Sequence, residues 1–145
     1  MVLWYTVYII QNEISGEFVW KDVNKMINSE INAIKDRICM TIMPKRVYLF
    51  GSFAKDTYNE NSDYDFYVVV PDDAGNKIEL SQKAYKSLRG VRKRPVDIVV
   101  GYESSFDERA KKNTLEKVVK QEGVLLYEKW KNPERVGGVC QDGFP

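Results

Sequence analysis

The sequence predicts a small α/β (α+β) domain, a single sheet covered by helices. Three observations carry that expectation. Ile27, Ile31, Ile34 and Ile38 fall on one face of a helix, and Pro44 stands behind them as a stop. Three short runs rich in β-branched and aromatic residues, Val47–Phe50, Asp63–Val70 and Val96–Val100, alternate with helical patterns. The chain has 145 residues, of which 43% are hydrophobic, enough for one core built without disulfides or metal.

Taken in order, residues 1–25 come first. They are rich in aromatic and β-branched types (Trp4, Tyr5, Val7, Tyr8, Phe18, Trp20). They read as a strand or hairpin on the main domain, through core or dimer contacts, or as an appendage ahead of Met26. The isoleucine-faced helix is expected from about Asp22, a plausible N-cap, to Ile42. Val47–Phe50 forms a buried strand ending at Gly51-Ser52, and Lys55 to Ser62 a helical turn and loop. Asp63–Val70 is a strand stopped by Pro71. Leu80, Ala84 and Leu88 mark a second amphipathic helix closed near Gly90. After the strand Val96–Val100, Ser105 with Glu108 and Asn113 with Glu116 resemble capping boxes for two more helices. Gly123 ends the second of these, and Val124–Tyr127 is the last strand. Residues 131–145 hold three glycines and two prolines and read as a loose tail.

Composition excludes several chemistries. Histidine is absent, which removes Ser-His triads, Cys-His dyads and His-ligated metal sites. Cys39 and Cys140 are far apart and supply neither a zinc knuckle nor a disulfide framework; Cys39 reads as inert packing. Net charge is +1, from 22 Lys+Arg and 21 Asp+Glu, so no overall pull toward nucleic acid or anionic lipid is expected. No run reaches the roughly 18 apolar residues of a membrane span. The apolar start lacks a basic flank and a small-residue cleavage site, so a cytoplasmic protein is expected. Catalysis here must rest on carboxylates, hydroxyls, lysines or arginines.

One constellation suits such chemistry. Asp63 and Asp65 lie two apart on a predicted strand, so both carboxylates share a face. Like charges that close raise each other's pKa unless a cation sits between them. Mg²⁺ answers that need, because it takes oxygen ligands and often combines one or two carboxylates with substrate phosphates. Asp97 sits within an apolar strand, where a charge is costly unless paired or metal-bound. If the two strands are neighbours, a three-carboxylate, two-ion site results. Gly51 and Ser52 offer close backbone approach, N–H groups and a hydroxyl for phosphate oxygens. Residues 56–73 carry a net charge of −6 and residues 77–94 a net charge of +6, a division that suits a metal–nucleotide polyanion.

Strand, Gly51-Ser52, ten residues, Asp63-Tyr64-Asp65 and a later strand bearing Asp97 together resemble the minimal nucleotidyltransferases (MNT) of the DNA polymerase β-like superfamily. The antitoxins paired with HEPN toxins are most similar. The resemblance spans roughly residues 27–128, including the ending Gly123 to Glu128. It implies a nucleotidyltransferase domain over 26–130, with a mixed sheet flanked by helices. It implies Mg²⁺ held by Asp63, Asp65 and Asp97, NTP phosphates at Gly51, Ser52 and Lys55, and AMP transfer from ATP to a tyrosine of a HEPN toxin. Where many members continue Gly-Ser with Arg-Ala-Arg-Gly, this chain has Phe53, Ala54, Lys55 and Asp56. Lysine is a point charge rather than a bidentate fork, so a weaker phosphate grip is expected.

Other readings stand beside this one. Lys55 reads equally as a phosphate contact or a solvated side chain. Arg89, Arg92, Lys93 and Arg94 read as a solvated helix end and loop, or as a triphosphate or partner contact. Nucleotidylation of a small-molecule hydroxyl, of the aminoglycoside type, would need a dimer or a second chain to complete the pocket. A non-catalytic toxin-binding module is the alternative of another class.

Overall fold

The computed structural model describes residues 18–129, with side chains from residue 27 onward. Helix α1 spans Phe18–Ile42, β1 Arg46–Phe50, α2 Ser52–Lys55, β2 Tyr64–Val70 and α3 Lys77–Ser87. Strand β3 (Val96–Tyr102), helices α4 (Glu103–Arg109) and α5 (Leu115–Glu122), and strand β4 (Val124–Glu128) complete the order. The strands form one mixed sheet in the order β3-β2-β1-β4. β1 runs antiparallel to both β2 and β4, and β2 runs parallel to β3. A small mixed sheet flanked by helices is therefore the fold, as the sequence predicts.

Helix α1 is amphipathic for the reason read from its isoleucines: Ile31, Ile34, Ile38 and Ile42 are buried, with Cys39 beside them. Together with Leu80, Ala84 and Leu88, which run down α3 and its C-cap, they cover one face of the sheet. From the strands that face receives Val47, Leu49, Tyr64, Phe66, Val68, Val70, Val96 and Ile98. Asn76 caps α3, its side chain accepting from the N–H groups of Ile78 and Glu79. Gly90 takes φ +77° just beyond the helix, the left-handed turn expected of a C-terminal glycine.

The opposite face is covered only in part. Phe106 of α4 stacks on Tyr48 at 5.5 Å and meets Tyr67 at 5.2 Å, with Val119 of α5 and Val69 completing a second, smaller core. Glu116 pins α5 to this face. Its Oε1 accepts from the Tyr67 hydroxyl at 3.0 Å and from Arg109 at 3.0 Å, while Oε2 is buried without a partner. Burial pushes the Glu116 carboxyl up, but the bonds from Arg109 and Tyr67 win and hold it below its ordinary value. Glu116→Ala strands a buried phenol and frees Arg109. It is expected to cost about 1–3 kcal/mol, read as a lower midpoint in urea.

Several boundaries differ from the sequence reading. α1 is already helical at Phe18, so Asp22 lies inside it and is no N-cap, and residues 18–20 are not strand. The turn after β1 is helical at 52–55, not later, because the glycine fold-back closes it at once: Ala54 and Lys55 donate to the Gly51 carbonyl. Neither proposed capping box forms. α4 starts at Glu103, with Asp72 from another loop accepting from the Ser104 N–H, and α5 starts after Thr114. The readings of residues 1–17 as strand or appendage and of 131–145 as a loose tail lie outside the described residues. Among the described residues no helix is long and apolar enough to cross a membrane.

Candidate functional site

The parallel pairing of β2 with β3 places Asp65 directly beside Asp97, in the register Tyr64↔Val96, Asp65↔Asp97, Phe66↔Ile98. Paired residues present their side chains to the same face. Tyr64 and Phe66 are buried on the α1–α3 side, so alternation turns Asp65 and Asp97 to the other face. The α4–α5 layer covers Tyr67 and Val69, further along β2, and leaves Asp65 only partly covered. The two carboxylates thus stand at the uncovered end of that face. Asp97 is exposed, which corrects the expectation of a charge enclosed in an apolar strand: β3 is an edge strand, and its Val96, Ile98, Val100 and Tyr102 face the α1–α3 core while Asp97 alternates away from it.

Asp63 lies one residue before β2 rather than within it. Its backbone is therefore outside the sheet register, yet its charge still reaches the site. The Asp65 carboxyl is pushed above its ordinary 3.8 first by burial, next by Asp97 and then by Asp63. Burial and two neighbouring like charges thus both disfavour the ionised form of Asp65. Among the described residues, no three His, Cys, Asp or Glu side chains form a ready-made metal cage.

Gly51 ends β1 against this pair. Its backbone takes φ +76° and ψ −153°, a region open in practice only to glycine. A Cβ built there would stand 2.3 Å from Asp65 Oδ2 and 3.2 Å from its Cγ. The glycine is thus required twice, by its own conformation and by the carboxylate lying against it. Ser52 opens α2 immediately beyond. The carbonyl of Gly51 accepts from Ala54 and Lys55, so the N–H groups of Ser52 and Phe53 are the ones at the open end of the turn. Lys55, expected as a phosphate contact or a solvated side chain, is half exposed and ion-paired with Glu122 at 2.7 Å.

A group of residues behind the site was not read from the sequence as a unit, although Lys93 and Arg94 were read as a solvated loop or as a triphosphate or partner contact. Phe53 stacks on Tyr58 at 4.4 Å and packs against Tyr64 at 4.5 Å. The Arg94 guanidinium lies 5.2 Å from the Phe53 ring centre and 5.7 Å from that of Tyr64. Its Nη1 donates to the carbonyls of Asn59, Glu60 and Ser62. Glu30 of α1 accepts from the Tyr64 hydroxyl at 2.8 Å and from the Lys93 N–H. Burial and the Glu30 carboxylate both raise the Tyr64 phenol above its usual value. Arg89, Arg92 and Lys93 are exposed, as a solvated helix end would be, whereas Arg94 is not. The one sequence signal was its place two residues before a strand, beside Pro95.

The model of the family described as "Nucleotidyltransferase domain" matches residues 31–126. No curated protein matches the chain. Among solved structures, one described as a nucleotidyltransferase from Sulfolobus solfataricus is 24% identical, over 78% of this chain and 91% of that one, with a TM-score of 0.49. A toxin–antitoxin structure with AMP-PNP is 26% identical, over 69% of this chain and 73% of that one, with a TM-score of 0.39. A mutant of the toxin–antitoxin MntA-HpeT is 23% identical, with the same coverage and a TM-score of 0.37.

Proposed function

The chain belongs to the nucleotidyltransferase domain family, and on that premise we propose that it transfers a nucleoside monophosphate, AMP from ATP, to a hydroxyl of a partner protein. The observation that carries this reading is the alignment of Asp65 with Asp97 at an uncovered sheet end, with the Gly51 backbone against Asp65. The partner follows from the motif resemblance alone: a HEPN toxin, modified on a tyrosine, with this chain as its antitoxin.

The donor set fits a divalent ion. It is all oxygen, and the Asp65 carboxyl, raised first by burial and then by the Asp97 and Asp63 charges, stands among like charges that a cation would offset. Asp63, Asp65 and Asp97 would hold one or two Mg²⁺, which when bound neutralise phosphate charge and polarise the α-phosphate.

The chain's own groups do the rest. The Gly51 backbone admits phosphate close to Asp65, and the Ser52 hydroxyl with the Ser52 and Phe53 N–H groups bonds phosphate oxygens. Asp97, exposed on the edge strand, is open to an incoming acceptor and accepts the proton of its hydroxyl as general base. The acceptor oxygen bonds to the α-phosphorus, and the bond to the pyrophosphate oxygen breaks. Positioning and electrostatic stabilisation supply most of the acceleration.

A second reading, a binding module that neutralises a toxin by contact alone, is favoured by two observations. Asp97 is exposed, so no metal is needed to offset its burial, and Lys55 is engaged by Glu122. The deciding experiment incubates this chain and a purified HEPN partner with ATP and Mg²⁺ and weighs the partner by intact mass spectrometry. The expected result is a gain of one or more AMP units on the partner. No gain, together with full neutralisation of the toxin, would establish the binding module instead.

A further inference from the structure

We infer that Arg94 is the positioning residue for Asp63, holding that carboxylate within reach of the Asp65–Asp97 pair. The sheet itself fixes only two of the three acids. Asp65 and Asp97 are paired by the β2–β3 ladder, whereas Asp63 lies ahead of β2, at the end of a loop that begins at Asp56. Beyond Asp63 the Tyr64 N–H donates to the Pro95 carbonyl at 3.0 Å, and within the loop the Ser62 N–H donates to Asn59 and the Asn59 N–H to Ser62 Oγ; the side chain that holds the loop's end from outside is Arg94. The two hydrogens of one guanidinium nitrogen are shared among three carbonyls, Asn59 at 3.3 Å, Glu60 at 3.2 Å and Ser62 at 3.1 Å. The Ser62 carbonyl belongs to the peptide that joins Ser62 to Asp63, so this bond sets the plane from which the Asp63 side chain departs.

The guanidinium is itself held. Its carbon lies over the rings of Phe53 and Tyr64, at 5.2 and 5.7 Å. Phe53 is in α2, directly after the Gly51-Ser52 turn, and Tyr64 directly follows Asp63. Arg94 precedes β3 by two residues. One side chain therefore ties together the three segments that carry Gly51 and Ser52, Asp63, and Asp97. It does so through main-chain carbonyls and ring faces, so the carboxylates stay free of an internal cation. Among the described residues neither Asp63, Asp65 nor Asp97 is ion-paired to a Lys or Arg. A guanidinium planted behind an acidic loop also offsets its charge without occupying the ligand positions.

This inference rests on the nucleotidyltransferase reading, and its test separates the two. The full chain and its Arg94→Ala variant are compared by amide hydrogen exchange and by titration with Mn²⁺ alone, followed by electron paramagnetic resonance. In Arg94→Ala the amides of residues 59–63 are expected to exchange about tenfold faster, and Mn²⁺ to bind about tenfold more weakly. A role confined to general stability would lower the melting temperature without this local pairing of effects. Phe53→Leu keeps an apolar side chain against the core and removes the ring beneath the guanidinium. It shifts both readouts in the same direction by a smaller factor, and decides the matter should Arg94→Ala fail to fold. Wild-type exchange at 59–63, or wild-type Mn²⁺ affinity despite faster exchange, overturns the inference. A wild-type chain with no affinity for Mn²⁺ overturns the functional reading itself, and the exchange data alone then decide whether Arg94 clamps the peptide of Asp63.

Discussion

Asp65→Asn is expected to lose nucleotide transfer by at least about 10²–10³-fold, the scale on which a preorganised electrostatic group acts, and yet to melt at a higher temperature than the wild type. The two effects share a cause. The Asp65 carboxyl is raised above its ordinary value by burial, by Asp97 and by Asp63. A carboxyl raised on folding binds its proton more tightly in the native than in the unfolded state. The stability it contributes is complete below the unfolded value of 3.8 and is lost as pH rises through the higher native value. At neutral pH the ionised group therefore works against the fold, and a neutral amide of the same shape removes that penalty. Melting curves between pH 3 and 8 check this, because the wild type should fall relative to Asp65→Asn just above the ordinary carboxylate range. Adding Mg²⁺ should raise the melting temperature of the wild type and leave Asp65→Asn nearly unmoved, since binding to the native state stabilises it by mass action. Asp97→Asn should lose transfer as fully, with little change in core stability, because Asp97 is exposed. A variant at either position with wild-type transfer would remove that residue from the site.

The shared face of Asp65 and Asp97 was legible in the sequence, because it follows from alternation, whereas Asp63, read as the strand neighbour of Asp65, lies ahead of β2. Asp65 lies between Tyr64 and Phe66, and Asp97 between Val96 and Ile98; the flanking residues are buried against α1 and α3, which turns both acids the other way. The helix faces were legible for the same reason, since a period of 3.6 is a local property. What was not legible depends on residues far apart in the chain. The cap of α4 is partly supplied by Asp72, from the loop after β2, so the local Ser105–Glu108 pattern misplaced the start. Lys55 meets Glu122, 67 positions on, and no local pattern foretells that pairing. Arg94 was read with Arg89, Arg92 and Lys93 as one charge run, although it alone turns inward, to carbonyls more than thirty residues away. Asp97 was read as enclosed because its neighbours are apolar. Whether a strand lies at an edge is a property of topology, not of its own composition.

Gly51→Ala is the substitution in which conformation and chemistry can be separated. Alanine at φ +76° and ψ −153° is strained whatever surrounds it, at a cost of about 1–3 kcal/mol. Its methyl group would in addition stand 2.3 Å from Asp65 Oδ2, closer than any stable contact, so the carboxylate must swing away. The expected result is a lower urea midpoint together with nearly complete loss of transfer, even at temperatures where the variant is fully folded. The double variant Gly51→Ala with Asp65→Ala distinguishes the two contributions. Removing the carboxylate relieves the contact but leaves the backbone strain. The stability losses should therefore be less than additive, by the part that arises from the collision alone. Strict additivity would mean that the turn shifts as a unit and never meets Asp65. In that case Gly51 would serve only as a hinge for α2, and the close approach of backbone to carboxylate would have no part in binding phosphate.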